Sequence, residues 1–166
     1  MSRIKIRHAE IQDIKEIKRV YDAARNFMRA SGNATQWING YPAEKNILAD
    51  IEGKNLYVGE DADGRIVMAF AFIIGDDPTY DVIEDGKWLN CKPYGTIHRI
   101  GSDGSMGGML REALGFCFSL IPNIRIDTHK DNKKMLQLLK DEAFIRCGVI
   151  YCQDGTAREA FQADRS

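Results

Sequence analysis

The sequence holds little of what marks the more specialised protein classes. Its four cysteines, at 91, 117, 147 and 152, show none of the paired spacing of a metal site, and no metal ion is expected. Cys117, Cys147 and Cys152 sit in apolar stretches, where a small thiol packs as a core side chain, so the expected state is reduced and the expected compartment cytoplasmic. No run approaches the roughly 18 apolar residues of a membrane span. The stretch from Met1 to Ile6 has no signal-peptide core, and no membrane association is expected. With 23 basic and 24 acidic residues the net charge is −1, which gives no general basic footprint for nucleic acid. Repeats and linkers are also missing. A chain of 166 residues is long enough for a real core, and residues 1–166 are expected to form a single domain.

What is present is a regular alternation of patterns. Residues 3–8 alternate apolar and polar as a strand does, and residues 10–30 carry Ile11, Ile14, Ile17, Tyr21, Ala24 and Met28 on one helical face. A loop at 31–42 leads to a helix after Pro42 that runs to about Glu52, with Ile47, Leu48 and Ile51 inward. Strands at Leu56–Glu60 and Arg65–Ile74 flank Asp61 to Gly64, a hairpin turn. Residues 75–93 are irregular, and a loop of that length in a small domain is often functional. A strand at 94–100, a helix ending at Pro122, a strand at 124–128 and a helix at 132–142 with Asp131 as N-cap follow. Strands at 144–152 and about 157–162 close the chain. The order β-α-α-β-β-β-α-β-α-β-β predicts an α/β fold built on one mixed sheet with helices on both faces.

The chain is organised around Tyr94 to Leu114. The β-branched Thr96, Ile97 and Ile100 lead into a turn where Gly101, Gly104, Gly107 and Gly108 surround Ser102, Asp103 and Ser105. Met109, Leu110, Ala113, Leu114 and Cys117 then recur at helical spacing. A small-residue loop opening a helix presents backbone N–H groups and the positive end of the helix dipole, which together bind phosphate. No Gly-Lys-Ser/Thr ending follows, so this is not a Walker A loop, and the absence of Gly-x-Gly-x-x-Gly in a βαβ unit argues against a dinucleotide site.

The stretch resembles the acyl-CoA loop of GNAT-type N-acetyltransferases, Gln/Arg-x-x-Gly-x-Gly/Ala. Ser105 takes the first place, Gly108 the central glycine and Leu110 the last, with Ala113 and Leu114 as the apolar pair that follows; the central glycine is the matching residue. Asn132 to Phe144 is similar to a second block of the same family, Asn-x-x-Ala-x-x-Leu-Tyr-x-x-x-Gly-Phe. Asn132, Met135, Leu138 and Phe144 fall on its spacing, while Leu139 replaces the tyrosine and Ala143 the glycine. Ile4 to Ala9, leading into Asp13 and Ile14, is similar to the family's opening strand and helix, so the resemblance covers nearly the whole chain.

The resemblance implies a GNAT-like fold, with a mostly antiparallel sheet of about seven strands. In it the strands at 94–100 and 124–128 splay apart for the pantetheine of acetyl-CoA. It also implies direct acetyl transfer to a primary amine of a small molecule in a ternary complex, with a protein or peptide acceptor, or a non-catalytic CoA-binding module, as alternatives. Backbone N–H groups of Met106, Gly107, Gly108, Met109 and Leu110, next to Ser105, would hold the pyrophosphate, and an N–H near Ile100 or Gly101 would polarise the thioester carbonyl. Asn132 would bond the pantetheine or position the helix after it. His98 is the first candidate for the base that deprotonates the amine, since histidine titrates near neutrality and His98 shares a strand face with Ile100. His129 is the second candidate, and Asp127 would orient an imidazole or bind the substrate ammonium. Leu139 stands where the family's tyrosine acid is found. Trp37 and Tyr41 are expected at the substrate cavity, Lys130, Lys133 and Lys134 near the ADP phosphates, and a homodimer is left open.

Overall fold

The computed structural model describes residues 3–166. Seven strands form one mixed sheet in the order β1-β2-β3-β4-β5-β7-β6: β1 (Lys5–His8), β2 (Leu56–Glu60), β3 (Ile66–Ile74), β4 (Gly95–Ser102), β5 (Asn123–Thr128), β6 (Ile145–Tyr151) and β7 (Ala157–Asp164). Four helices accompany them: α1 (Ile14–Ala30), α2 (Glu44–Glu52), α3 (Met109–Leu120) and α4 (Lys133–Asp141). The expected mixed α/β sheet of seven strands is therefore present. None of the described helices is long and apolar enough to cross a membrane. The chain forms two compact units, Met1–Phe72 with His98–Phe116, and Ile73–Ile97 with Cys117–Ser166.

In the first unit β1 pairs antiparallel with β2, and β2 with β3. From Ile66 to Phe72, β3 is apolar and buried at every position, as expected of a strand covered on both faces. The core joins Ile17, Val20, Tyr21 and Ala24 of α1 to Trp37, Ile47 of α2, and Leu56, Val58, Ile66, Ala69 and Ala71 of the strands. The predicted face of α1 is the buried one for five of its six residues: Ile17, Tyr21 and Ala24 lie in the core, and Ile14 and Met28 pack against it. Ile11 lies in a separate 3-10 turn (Ile11–Asp13) and is 60% exposed, while Val20 enters the core. The 3-10 turn precedes the helix, so Ile11 falls off the helical period that the other five residues keep. In α2, Ile47 is buried and Ile51 packs against the core as expected, while Leu48 is exposed.

In the second unit β4 pairs parallel with β5 at Gly95↔Ile124 and Thr96↔Arg125, where the ladder ends. The final hairpin inserts β7 between β5 and β6, antiparallel to both. The segment 75–93 is tied down by a 3-10 turn at Pro78–Tyr80 and by a bridge between Glu84 and Val149. There the Glu84 N–H donates to Val149 O at 2.9 Å and the Val149 N–H to Glu84 O at 2.8 Å. Only glycine permits that approach: at Gly148 (φ 156°) a Cβ would lie 2.3 Å from Glu84 O, and at Gly86 (φ 150°) 1.9 Å from Cys147 O. Asn132, and not Asp131, caps α4: its Oδ1 accepts from the Met135 N–H at 3.2 Å. The one-residue shift follows from Asp131, whose N–H is drawn to His129 Nδ1.

Candidate active site

In the first unit the glycine-rich loop takes its shape from Asp103. Its Oδ1 accepts from the Ser105 N–H at 3.0 Å and the Ser105 hydroxyl at 2.5 Å, and its Oδ2 accepts from Arg19 Nη1 at 3.0 Å. The Asp103 N–H reaches back to Val67 O at 3.0 Å. Burial pushes the Asp103 carboxyl up, but the bonds from Ser105 and Arg19 outweigh it and hold the group below its ordinary range. Ser105 therefore spends both its N–H and its hydroxyl on Asp103. Gly104 (φ 81°) and Gly108 (φ 80°) carry the two left-handed turns of the loop. Gly108 O accepts from the Glu112 N–H at 3.1 Å, which starts α3. Met109 and Leu110 thus occupy the first turn, where backbone N–H groups have no partner within the helix. Arg3 places a guanidinium beside the loop, donating to Gly107 O at 2.5 Å.

The strand entering the loop is kinked. Arg99 has φ 51°, a left-handed conformation that costs a non-glycine residue about 1–2 kcal/mol. Two hydrogen bonds from its guanidinium to the Asp50 carboxylate, both 2.7 Å, and one to Tyr41 Oη at 3.1 Å hold it there. The kink corrects the expectation that His98 and Ile100 share one strand face, since that rule requires an extended residue between them. Both are half-buried. Gly101 follows, and a Cβ on it would stand 3.0 Å from Ala24 Cβ and 3.3 Å from the Trp37 ring. Trp37 is 5% exposed and meets Tyr21 edge-on at 5.4 Å. It is a core residue instead of the expected wall of a substrate cavity, because Tyr21 and Gly101 enclose its ring. Tyr41 is half-buried and tied to Arg99, and the buried Tyr21 hydroxyl has no hydrogen-bond partner among the described residues.

In the second unit Asp127, near the end of β5, accepts a 2.6 Å hydrogen bond from the Tyr80 hydroxyl. Tyr80 is 2% exposed; burial, then the Asp127 charge, raises its hydroxyl well above the usual phenol range. Its ring packs against Trp88 at 5.0 Å and Tyr94 at 6.2 Å, and Arg125 lies over the Trp88 ring at 4.2 Å and the Tyr94 ring at 4.0 Å. A cleft of about 220 Å³ is lined by Ile73, Gly75, Asp76, Asp77, Pro78 and Thr96, and the buried Thr96 hydroxyl has no hydrogen-bond partner among the described residues. His129 is mostly buried, and its Nδ1 accepts from the Asp131 N–H at 3.1 Å. Burial, then the Arg158 charge, lowers its pKa, so it stands neutral with its proton on Nε2. Asn132 donates to Thr128 Oγ1 at 3.1 Å besides capping α4. Leu139 is fully buried, whereas Lys130, Lys133 and Lys134 are exposed.

Three of these parts escaped sequence reasoning. Asp103 had a signal, since aspartate two residues before serine in a glycine-rich stretch is the pattern of a side chain closing a turn. Tyr80 had half of one: Asp77 before Pro78 marks a capped helical start, which the structure forms, but nothing local points to Asp127. The Arg99–Asp50 pair, 49 positions apart, has no local signal.

No protein-family model and no curated protein matches the chain. Solved structures do. An acetyltransferase of the GNAT family from Streptococcus agalactiae 2603 is 31% identical, with a TM-score of 0.83 over 98% of this chain and 96% of that one. A GNAT-family acetyltransferase from Listeria monocytogenes 4b F2365 shares the fold at 22% identity and a TM-score of 0.72, over 97% of this chain and 94% of that one. The NatC complex bound to Gag peptide and CoA shares it at 11% identity and a TM-score of 0.58, over 99% and 100%. With that fold, and 31% identity over nearly its full length, the chain belongs to the GNAT family of acetyltransferases.

Proposed function

We propose that this acetyltransferase moves the acetyl group of acetyl-CoA to a primary amine of a small molecule, by direct attack in a ternary complex. Use of an acyl-CoA donor follows from the family fold. The observation that carries the reading is the loop from Asp103 to Gly108. Two left-handed glycines and a buried carboxylate shape it, and it delivers the chain into the first turn of α3. Backbone N–H groups from Met106 to Leu110 would hold the pyrophosphate, with the helix dipole and Arg3 adding positive potential.

His98 is the preferred base. The Nδ1 lone pair of His129 is already spent on the Asp131 N–H, so His129 would have to break that bond to take up a proton there. A backbone N–H near Gly101 would polarise the carbonyl, at a place where close packing against α1 leaves the strand little freedom. Leu139 offers no hydroxyl to the departing thiolate, and none is required, because a thiol with an ordinary pKa near 8.5 leaves as the anion readily. The near-neutral net charge favours no basic protein tail as acceptor. The test is steady-state kinetics on a panel of small amines. The His98→Ala variant is expected to lose most of kcat/KM together with its rise with pH. An unchanged rate and pH profile would remove His98 from the reaction.

A further inference from the structure

Among the described residues, five other than glycine take a left-handed φ. Asn39, Lys54, Asp85 and Ala143 lie in turns or bends, while Arg99 (φ 51°) lies inside β4. A strand gains nothing from such a residue, which breaks the alternation of faces and is disfavoured for any side chain with a Cβ. Conformations of this kind persist only where the surroundings over-determine them, and they gather at functional sites.

The surroundings here are two separate holds, both in the first unit. The first grips the Arg99 side chain. Nε and Nη2 donate in parallel to the two oxygens of the buried Asp50 carboxylate on α2, and Nη1 donates to the hydroxyl of Tyr41, in the loop between α1 and α2. A planar fork meeting a carboxylate fixes direction as well as distance. The second hold is on the backbone two residues later. A Cβ on Gly101 would stand 3.0 Å from Ala24 Cβ and 3.2 Å from the Tyr21 ring, so the strand lies directly against α1. The Trp37 ring, which also meets Gly101, joins the two holds, since it lies edge-on to Tyr41 at 6.4 Å. Residues 99–101 are therefore pinned at both ends to the helices of their own unit.

Two groups of the proposed chemistry flank that stretch. His98 immediately precedes it, and the N–H that would polarise the thioester carbonyl lies near its end. The attacking amine has to meet the base while the carbonyl meets the N–H, so the two groups need one fixed relation. Plain strand alternation would give them one direction, and the left-handed turn at Arg99 gives them another.

We propose that Arg99 is a positioning residue: gripped by Asp50 and Tyr41, it fixes the turn in β4 that sets His98 against the carbonyl-polarising N–H. This rests on the acetyl-transfer reading and adds to it the residues that hold its two working groups in relation.

The experiment compares wild type, Arg99→Ala, Arg99→Gly and Arg99→Lys in steady-state kinetics, below the unfolding temperature of each. Glycine takes this φ freely but loses the grip, alanine loses the grip and keeps the strain, and lysine keeps the charge opposite Asp50 without the fork. Arg99→Ala is expected to lower kcat about a hundredfold, the cost of a misplacement near 1 Å. Arg99→Gly and Arg99→Lys should lose markedly less. KM for acetyl-CoA should hold steady, because Arg19 and Asp103 anchor the donor loop independently. General loosening would move KM together with kcat and would make glycine, the weaker residue inside a strand, the worse variant. A second measurement needs no acceptor. The infrared carbonyl stretch of bound acetyl-CoA should lie below that of the free thioester in wild type and Arg99→Gly, and return toward it in Arg99→Ala.

Full kcat in Arg99→Ala overturns the proposal, as does a loss in Arg99→Gly as large as in Arg99→Ala. If Arg99→Ala does not fold, Arg99→Lys decides: reduced kcat at steady KM supports the grip, and wild-type kcat overturns it. Amine turnover that all three variants retain in full would leave the acetyl-transfer reading intact and remove this one. No turnover of any amine, with a carbonyl stretch that follows Arg99 as described, would do the reverse.

Discussion

The loop from Asp103 to Gly108 and the cluster around Tyr80 hold their functional groups in opposite ways. The loop works through backbone. Two glycines take conformations that other residues adopt only at a cost, one aspartate closes the turn, and the backbone N–H groups follow. The cluster works through side chains drawn from the 75–93 segment and β5, and its geometry comes from stacked rings and a buried hydrogen bond. Damage should therefore be of different kinds. In the loop an added charge should act on the backbone donors directly, whereas in the cluster the loss of the Tyr80 hydroxyl should release the Asp127 carboxylate from its hydrogen bond.

The sharpest way to break the comparison is Gly108→Asp. A carboxylate beside the phosphates, on a residue with φ 80°, should raise KM for acetyl-CoA by at least about a hundredfold, since each 1.4 kcal/mol is tenfold. Gly108→Ala, which adds strain of about 1 kcal/mol but no charge, should cost much less. If the two variants behave alike, conformation rather than phosphate contact governs the loop. Asp50→Ala comes next. It leaves the Arg99 guanidinium, whose side chain is 19% exposed, without its carboxylate, and should destabilise the fold by about 3–5 kcal/mol in denaturant titration. Asp50→Asn, which keeps an acceptor, should cost less.

Leu139→Tyr is expected to lose about 1–3 kcal/mol of stability, because the site is fully buried, with kcat unchanged or lower. A several-fold rise in kcat at high pH without loss of stability would show that a missing acid limits the enzyme. The smallest effect concerns His129. Its folded pKa is depressed, so the unfolded chain binds the extra proton first, and the histidine's contribution is complete above the unfolded value near 6.5. That contribution is lost as pH falls from there through the folded pKa. His129→Gln should remove a shallow step from the stability-versus-pH curve below pH about 6.5, read by thermal denaturation.

The contrast also explains what could be read from sequence. Element order, the apolar run of β3 and the small-residue turn before α3 were legible, because each is written in local pattern. Ile11 alone was misplaced on the α1 face, because the turn at Asp13 depends on Arg7 reaching its carboxylate from β1, at 2.8 Å and 3.0 Å. His98 and Ile100 were placed on one face because nothing in the Thr96 to Ile100 stretch announces a left-handed arginine. Asp50, which holds it, lies 49 residues away. Trp37 looked like a loop aromatic and proved to be core, since the space that receives it is made by α1 and Gly101 together. Asp127 drew notice as a partner for an imidazole or an ammonium, and nothing local joined it to Tyr80. Their pairing at 2.6 Å is a tertiary fact.

The most direct measurement is calorimetric titration of the wild-type chain with acetyl-CoA and, separately, with ATP. Both ligands carry an adenine and a phosphate chain, and only one carries pantetheine and an acetyl group to transfer. The account predicts one acetyl-CoA bound per chain, much more tightly than ATP, with binding lost in Gly108→Asp. Tight ATP binding with no binding of acetyl-CoA would contradict it.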